Sequence, residues 1–427
     1  MIEIIRSDQF MKKERADIPK QVFDRVSTIV DSIQKDGFAA VAECTKRFDG
    51  FELTKENLKI SEAEILQSDS TLTSEQKQAI DLAFERVEQV QKSIANTALQ
   101  ETKVTIGNGY VCFKPRPIER IGIYVPGGVA PLPSSLLMAG IPARIAGVKE
   151  IVVCTPPRKE GISPAILYIA KKLGIKEIYQ IGGAQGIAAM AYGLPDLLPK
   201  VDMICGPGNV YVAAAKQLVS SQGLVKIDMV AGPSEVLVIA DDRARADYIA
   251  ADMLAQAEHG TTSSAILLTD SKELATNVRI ELEKQFNQLT NKEIAGNSIR
   301  DYGAIVLVDS VDQAIEIANE YAPEHLEVFV RNPELITSKF TSAGALFINT
   351  CEAFADYGMG GGNHILPTGG TARFLSGLSV YDFIIRTYVE YMTDEEQAKL
   401  AEKTSVFADL EGLESHSKAA KLRGEQK

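Results

Sequence analysis

The apolar positions in the first hundred residues recur at helical spacing. Residues 22–33 repeat every three or four positions, which predicts an amphipathic helix. Residues 79–96 show the same period, and Ser74 is the predicted N-cap of this longer helix. Residues 103–114 instead alternate between polar and apolar across Gly107-Asn108-Gly109, which predicts a β-hairpin.

From residue 121 onward, short β-branched runs alternate with helical stretches. The predicted strands are residues 121–125, 150–154, 177–181, 201–205, 236–239, 264–269, 304–308, 326–330 and 345–349. The predicted helices between them include residues 134–145, 164–173, 208–219, 243–258 and 311–320. This alternation predicts an α/β fold with two doubly wound Rossmann-like domains, each with a parallel sheet, plus small helical segments at the N- and C-termini.

The predicted strands are too numerous for one small domain, so we divide the chain. We expect an N-terminal segment at residues 1–24 and a C-terminal helical segment at residues 380–427. The first Rossmann-like domain is expected to be discontinuous, with residues 25–120 and 235–379. Residues 121–234 are expected to form the second.

Composition and charge narrow the class of protein. The 427 residues are 45% hydrophobic and 24% charged, which is ordinary for globular proteins. The formal net charge of −12 argues against nucleic acid as the partner, because phosphate binding needs a basic surface. No run approaches the ~18 apolar residues of a membrane span. With no secretory pattern near the N-terminus and five widely spaced cysteines, we expect a cytoplasmic protein that does not associate with membranes.

Glycine follows several of the predicted strands, at Pro126-Gly127-Gly128, Gly182-Gly183, Gly206-Pro207-Gly208 and Gly232-Pro233. Ligands of open α/β sheets bind outside the carboxyl ends of the strands, so these loops are candidate ligand sites. Each loop is equally explained as a tight turn that needs glycine. The Gly206 loop comes nearest to a GxGxxG motif but lacks its last glycine, so spacing alone does not support dinucleotide binding.

The chain has only four histidines, the residue type most often used as a base or metal ligand near neutral pH. They are His259, His325, His364 and His416. Gln256 and His259 are three residues apart near a predicted helix end, so both could bind one metal. Glu324 and His325 place two proton-transfer groups side by side at a helix-to-strand turn.

The other two histidines also have polar neighbours. Asp356 precedes a glycine-rich loop that contains His364, and Glu411 lies five residues before His416 in the polar tail. Taken singly, such pairs are common on solvated surfaces, and no HExxH or other metal motif of defined spacing is present.

Several long motifs occur in a fixed order along the chain. They are IGIYVPGG, IGGAQGIAAMAYG, VDMICGPGN, AGPSEVLVIAD, ADMLAQAEHG, YAPEHLEV, DYGMGGGNHILPTGGTARFLSGLSVYDF and EGLESH. As a set they resemble the histidinol dehydrogenase family, from about Lys20 to His416. The resemblance implies a zinc-dependent homodimer that oxidises L-histidinol to L-histidine through histidinaldehyde, with two NAD⁺ as hydride acceptors, in the last steps of histidine biosynthesis.

The resemblance also implies a set of zinc ligands, namely Gln256, His259, Asp356 and His416. In the family the last of these histidines comes from the partner subunit, so the C-terminal segment is expected to reach the other copy of the chain. Zinc takes nitrogen and oxygen ligands of these types. Two positions beside the ligands depart from the family pattern, with Ala355 in place of glycine and Gly260-Thr261 in place of Asp-Pro.

The remaining site residues follow from the same resemblance. Glu324 and His325 match the catalytic pair; His325 would take the alcohol proton, and Glu324 would activate water for the second oxidation. Ser234 and Glu411 would complete the substrate site together with His325 and the zinc ligands. The matches to the family's NAD contacts are Tyr124, Gln185 and Asn209. His364 is expected to support its loop rather than bind a ligand.

Three alternatives remain open. A member of the same family could oxidise another polar amino alcohol. A zinc hydrolase could use the same carboxylate and histidine groups, and a binding protein could lack catalysis altogether. A cysteine thiohemiacetal is a further route from aldehyde to acid, with Cys112 and Cys154 as candidates, but small buried apolar roles suit both thiols better.

Overall fold

A computed structural model describes residues 2–10, 15, 18–127, 131–290 and 292–425. The strands are β1 (Ile4–Arg6), β2 (Thr102–Ile106), β3 (Gly109–Pro117), β4 (Arg120–Tyr124), β5 (Glu150–Cys154), β6 (Glu177–Tyr179), β7 (Met203–Cys205), β8 (Lys226–Ile227), β9 (Glu235–Ala240), β10 (Ser264–Thr269), β11 (Ala304–Leu307), β12 (His325–Phe329), β13 (Ala345–Ile348) and β14 (Ile384–Met392). The helices are α1 (Ser7–Phe10), α2 (Lys20–Asp36), α3 (Phe38–Asp49), α4 (Glu62–Gln67), α5 (Ser74–Ala98), α6 (Pro133–Ala146), α7 (Pro164–Leu173), α8 (Gly183–Tyr192), α9 (Val210–Ser221), α10 (Ala246–Ala257), α11 (Lys272–Phe286), α12 (Lys292–Asp301), α13 (Val311–Tyr321), α14 (Glu352–Asp356), α15 (Asp394–Leu410) and α16 (Glu414–Gly424).

The middle of the chain forms a five-stranded parallel sheet with the order β6-β5-β4-β7-β8. Counted along the chain, this is the order 3-2-1-4-5 of a doubly wound nucleotide-binding fold. The direction of winding reverses between β4 and β7, and a crevice opens at such a point beyond the carboxyl ends of the two strands.

Helices cover both faces of this sheet because its strands are apolar on both sides. On one face, Ile121 and Ile123 of β4 pack with residues of α5, α6 and α7. On the other face, Val152 and Cys154 of β5 pack with residues of α2, α3, α8 and α9.

The second parallel sheet has six strands in the order β1-β11-β10-β9-β12-β13. Val236 and Val238 face a cluster formed with α10, α11 and α12. Leu237 and Ile239 face the opposite cluster, which includes residues of α13 and Phe10 of α1. Two doubly wound parallel sheets confirm the predicted fold class.

The N-terminal and C-terminal segments each contain a strand that the sequence did not predict. The N-terminal strand β1 extends the edge of the six-stranded sheet by pairing with β11. The C-terminal segment begins with β14, which joins the predicted hairpin β2-β3 as a three-stranded antiparallel sheet. The segment was therefore wrongly expected to be helical from residue 380. Seven of its nine residues are exposed, and the charged Arg386 and Glu390 interrupt its apolar residues, so it lacks the buried face of a core strand.

Helices α2, α3 and α5 pack on the five-stranded sheet, although residues 25–120 were expected to belong with residues 235–379. The reason is that the apolar stripe of α2, from Val22 to Ile33, meets α8 and α9 on that sheet's outer face. Sequence order carries no information about which of two sheets an early helix covers. The division into independently folding domains stays a prediction.

Other details follow from local chemistry. The N-cap of α5 is Thr73 rather than Ser74; its side chain accepts a hydrogen bond from Gln76 N, and Gln76 caps Thr73 in return. Gly128 of the first glycine loop lies outside the described residues. Across the described part of the chain, no helix combines the length and apolar character needed to cross a bilayer.

Candidate functional site

Glu324 and His325 lie at the amino end of β12, where α13 turns into the six-stranded sheet. His325 pairs in register with Val236 of the neighbouring strand β9, so Glu235 and Ser234 lie at the same edge. The other helix end at this edge belongs to α10, whose last turn contains Gln256. Catalytic candidates therefore gather at the amino edge of this sheet, opposite to the carboxyl edge that favours ligands in open α/β folds.

The ring of His325 is held in one tautomer. Its Nδ1 lies 3.1 Å from the carbonyl oxygen of Glu235, which can only accept a hydrogen bond, so Nδ1 carries the proton. Nε2 is buried and has no hydrogen-bond partner among the described residues; Asp356 Oδ1 lies 3.7 Å away. Burial lowers the pKa of His325 to about 3. The imidazole is therefore neutral, with a free Nε2 lone pair that can accept a proton.

The carboxyl group of Glu324 is equally buried, beside the histidine. Its Oε2 accepts a hydrogen bond from Glu235 N at 2.9 Å and lies 3.7 Å from His325 Nδ1. Burial raises the pKa of Glu324 well above its usual value, and the nearby Glu235 and Asp356 carboxyl groups add to the rise. A carboxylate with a raised pKa is a stronger base than an exposed one.

The predicted zinc ligands are partly assembled within one chain. In the amide orientation that satisfies both of its ends, Gln256 accepts from Glu235 N (2.7 Å) and donates to the Glu352 carboxyl group (3.0 and 3.1 Å). Asp356 ends α14 next to His325, and its pKa is raised by burial but lowered by the nearby His259. The helix α10 ends at Ala257, so His259 lies in the following turn, and its exposed ring does not share a helical face with the buried Gln256.

Further carboxyl groups pack behind these residues. Glu352 Oε2 lies 3.4 Å from His325 Nδ1, and Glu352 N donates to Glu327 Oε1 at 2.8 Å. Burial raises the pKa of Glu327 and of Glu352 well above the usual carboxyl value, and raises that of Asp252 to about 6. The carboxyl groups of such a cluster stay protonated to a higher pH than exposed carboxyl groups do, and the cluster favours a bound cation nearby.

These raised pKa values predict that the metal-free chain loses stability as the pH rises. Consider a carboxyl group whose pKa is higher in the folded than in the unfolded chain. Its contribution to stability is fully present below the unfolded pKa and is lost as the pH rises through the folded pKa. We expect the melting temperature in the presence of a chelator to fall as the pH rises from about 5 through the pKa of Asp252 near 6 and beyond it. Glu327→Gln should reduce this fall by a few degrees, whereas the exposed control Glu85→Gln should not. An identical pH slope in all three proteins would contradict the assignment.

The glycine-rich loop after Asp356 connects this edge to the five-stranded sheet. Asn363 Nδ2 donates to the carbonyl oxygen of Met138 in α6, at 2.8 Å. His364 is half-buried, burial lowers its pKa to about 4, and it interacts with the backbone of Ser134 at the start of the same helix. The loop therefore connects the site around His325 to α6, the helix that follows β4.

The predicted NAD contacts lie at the carboxyl edge of the five-stranded sheet. Tyr124 ends β4, and its hydroxyl oxygen accepts a hydrogen bond from Gly183 N at 3.0 Å. Gln185, in the first turn of α8, donates to Asp49 Oδ2 at 3.1 Å. Asn209 caps α9 by accepting from Tyr211 N and Val212 N at 3.1 Å each. Tyr124 and Asn209 thus flank the point between β4 and β7 where the winding reverses.

Comparison with known proteins decides the family. The family model described as "Histidinol dehydrogenase" matches residues 12–424. The chain belongs to the histidinol dehydrogenase family. It is 44% identical to the histidinol dehydrogenase of Caldanaerobacter subterraneus subsp. tengcongensis, over 95% of this chain and 93% of that protein. It is 44% identical to the Aquifex aeolicus histidinol dehydrogenase, over 96% and 94% of the two chains. The crystal structure of histidinol dehydrogenase from Elizabethkingia anophelis superposes with a TM-score of 0.90 at 38% identity, covering 98% of this chain and 96% of that one.

Two residues that the family resemblance assigns to the site are not brought to it within one chain. Glu411 follows the end of α15, and His416 lies in the first turns of α16; both are exposed. Ser234, by contrast, is half-buried directly before β9, and its carbonyl oxygen accepts from Ser264 N at 3.0 Å. The roles of all these residues stay predictions.

The donor types of Gln256, His259 and Asp356 fit zinc, which takes imidazole nitrogen and side-chain oxygen. Within the described part of a single chain, no group of three or more His, Cys, Asp or Glu side chains is arranged to hold a metal. His416, the fourth predicted ligand, lies on α16 and is exposed.

Sequence reasoning missed the buried acids around His325. Glu235, Glu327 and Glu352 are each at most 4% exposed. The signal was present for Glu327, because it interrupts an apolar strand, and a carboxyl group there must find a polar partner. The candidate thiols Cys112 and Cys154 are both buried, and burial raises the pKa of Cys154, which makes it a poor nucleophile.

Proposed function

We propose that this chain oxidises L-histidinol to L-histidine through L-histidinaldehyde, in the last steps of histidine biosynthesis. The observation that carries the proposal is the buried, neutral His325, whose Nε2 has no hydrogen-bond partner among the described residues and whose Nδ1 lies 3.7 Å from Glu324 Oε2. Membership of the histidinol dehydrogenase family supports the substrate. Both oxidations need a group that accepts a proton while a hydride leaves, and the geometry of His325 suits that task.

The cofactors belong to the same proposal. Gln256, His259 and Asp356, with His416 of the partner subunit, would hold one zinc ion per subunit, and Tyr124, Gln185 and Asn209 would contact NAD. When bound, zinc orients the imidazole and amine of the substrate, and NAD⁺ accepts a hydride in each oxidation. Ser234 of the same subunit and Glu411 of the partner subunit would complete the substrate site, where Glu411 would supply negative charge for the substrate ammonium.

His325 and Glu324 would each carry out one of the two proton transfers. His325 Nε2 takes the hydroxyl proton of the alcohol while its Nδ1–H remains bonded to the Glu235 carbonyl. The aldehyde must add water, because only the hydrated form carries a second hydride. Glu324, whose Oε2 lies 3.7 Å from His325 Nδ1, would take a proton from that water.

A homodimer with shared sites is supported by exposed apolar surface. The helical hairpin of α15 and α16 buries small residues between its helices, and Ser405 Oγ bonds Ser417 Oγ at 2.8 Å. Its large apolar side chains face outward, with Phe407 65% and Leu410 80% exposed. Such a surface suits docking on a second copy, which would carry Glu411 and His416 towards that copy's site.

The alternatives are separated by one assay of the zinc-loaded protein. With L-histidinol and NAD⁺, we expect NADH and L-histidine to appear together. A zinc hydrolase or a binding protein would form no NADH with this substrate. A relative specific for another amino alcohol would turn that alcohol over faster than L-histidinol.

Placement in the cytoplasm rests on the composition and the free thiols.

Replacing Glu324 tests the division of labour between the two bases. Glu324→Gln should slow the oxidation of added histidinaldehyde more than that of histidinol to the aldehyde, because only the second step needs activated water. A positioned proton transfer is worth roughly 10²–10⁴-fold. The two half-reactions are measured separately in single turnovers. Equal losses below about tenfold in both would contradict separate roles.

A further inference from the structure

A buried ion pair lies under the loop that follows β7. Lys216 is in the middle of α9, and Asp228 lies just after β8; their side chains are 2% and 1% exposed. The two side chains form a salt bridge. A charged pair so deep in an α/β core is costly to desolvate, and apolar residues of similar size often serve stability as well or better.

Both members of the pair bind the same residue, Gly206. Lys216 Nζ donates to the Gly206 carbonyl oxygen at 2.9 Å, and Gly206 N donates to Asp228 Oδ2 at 2.8 Å. Asp228 Oδ1 also accepts from Met229 N at 2.7 Å, which fixes the carboxylate in turn. The backbone N–H and the carbonyl oxygen of Gly206 are thus each hydrogen-bonded to one member of the ion pair.

The backbone conformation and the surroundings of Gly206 leave no room for a side chain. Its φ of +112° favours glycine, and a Cβ atom there would lie 2.2 Å from the carbonyl oxygen of Tyr124. The loop therefore rests directly on the backbone at the end of β4. Three residues later, Asn209 caps α9, so the amino end of that helix lies at the same edge.

We propose that Lys216 and Asp228 are positioning residues for the dinucleotide. By holding both polar groups of Gly206, they set the spacing between Tyr124 and the amino end of α9, which are the two sides of the crevice at the winding reversal. Helix amino ends bind phosphate groups, so this spacing controls how well the pyrophosphate of NAD fits. The inference rests on the proposed NAD chemistry, and the two buried side chains would act through Gly206.

The test measures NADH and L-histidinol affinities of the zinc-loaded dimer in parallel. Lys216→Met should raise the Kd of NADH at least about tenfold and leave the Kd of L-histidinol within about twofold. Because that variant leaves Asp228 buried without its partner, Lys216→Met/Asp228→Leu provides a second test in which neither charge remains. The matched control is Gln217→Met, an exposed neighbour on the same helix.

If the ion pair served only stability, the variants would change the melting temperature without changing the ratio of the Kd values of NADH and L-histidinol. Selective loss of NADH affinity in the double variant, with kcat at saturating NAD⁺ reduced less than kcat/KM for NAD⁺, supports the positioning role. Wild-type NADH affinity in the folded double variant would overturn it. Absence of NADH binding by the unchanged chain would instead overturn the proposed NAD chemistry.

Discussion

His259→Asn is expected to abolish NADH formation from L-histidinol and to lower the zinc content of the purified chain. The ring of His259 lies in an exposed turn after α10, where it interacts with the Asp356 carboxylate. Removal of residues that only support a metal ligand typically costs 10–100-fold in metal affinity or activity, so loss of a ligand should cost at least about a hundredfold. Because the side chain is exposed, the fold should persist, and the loss should be specific to the metal.

The matched control is Glu258→Gln, since Glu258 is the exposed neighbour in the same turn. It should keep stoichiometric zinc and nearly full turnover. Zinc is measured by atomic emission after dialysis, and the melting temperature of each variant reports its folding. Full zinc occupancy and full turnover in His259→Asn would show that this histidine is not a ligand.

Mixing two inactive variants, His259→Ala and His416→Ala, is expected to restore activity. His416 lies on the exposed helical hairpin, whereas His259 lies near His325 at the edge of the six-stranded sheet. If each site takes His259 from one subunit and His416 from the other, a mixed dimer has one site with both defects and one site intact. Random pairing makes about half of the dimers mixed, so activity should approach about a quarter of the wild-type value.

Subunit exchange must be shown independently, for example by fluorescence energy transfer between labelled subunits. Each variant alone should remain inactive under the same exchange conditions. If the subunits exchange and no activity returns, the hairpin serves the site of its own chain and the shared-site dimer is wrong.

The sequence predicted the parallel sheets well because buried parallel strands leave a strong pattern. The runs at Glu150–Cys154 and Ser264–Thr269 are apolar and β-branched, and their predicted bounds match the structure. The strand β14 was missed because it is exposed over nearly its whole length, so burial imposed no simple pattern on it. Which sheet the helix α2 covers depends on tertiary packing that no local pattern encodes.

The candidate site shows the same limit. The motif resemblance named Glu324 and His325, but it did not reveal that the Glu235 carbonyl fixes the tautomer of His325. Backbone groups carry no sequence signature, so this contact required the register between β9 and β12. The pairing of Lys216 with Asp228 joins residues on either side of β8 and likewise left no signal in the linear pattern.

The most direct measurement of the proposed four-electron oxidation is the amount of NADH formed for each L-histidinol consumed by the zinc-loaded chain. The hydrated aldehyde carries a second hydride, so the account predicts about two NADH per L-histidinol, with L-histidine as the product and no free aldehyde accumulating. One NADH per substrate with histidinaldehyde released, or no NADH at all, would contradict it.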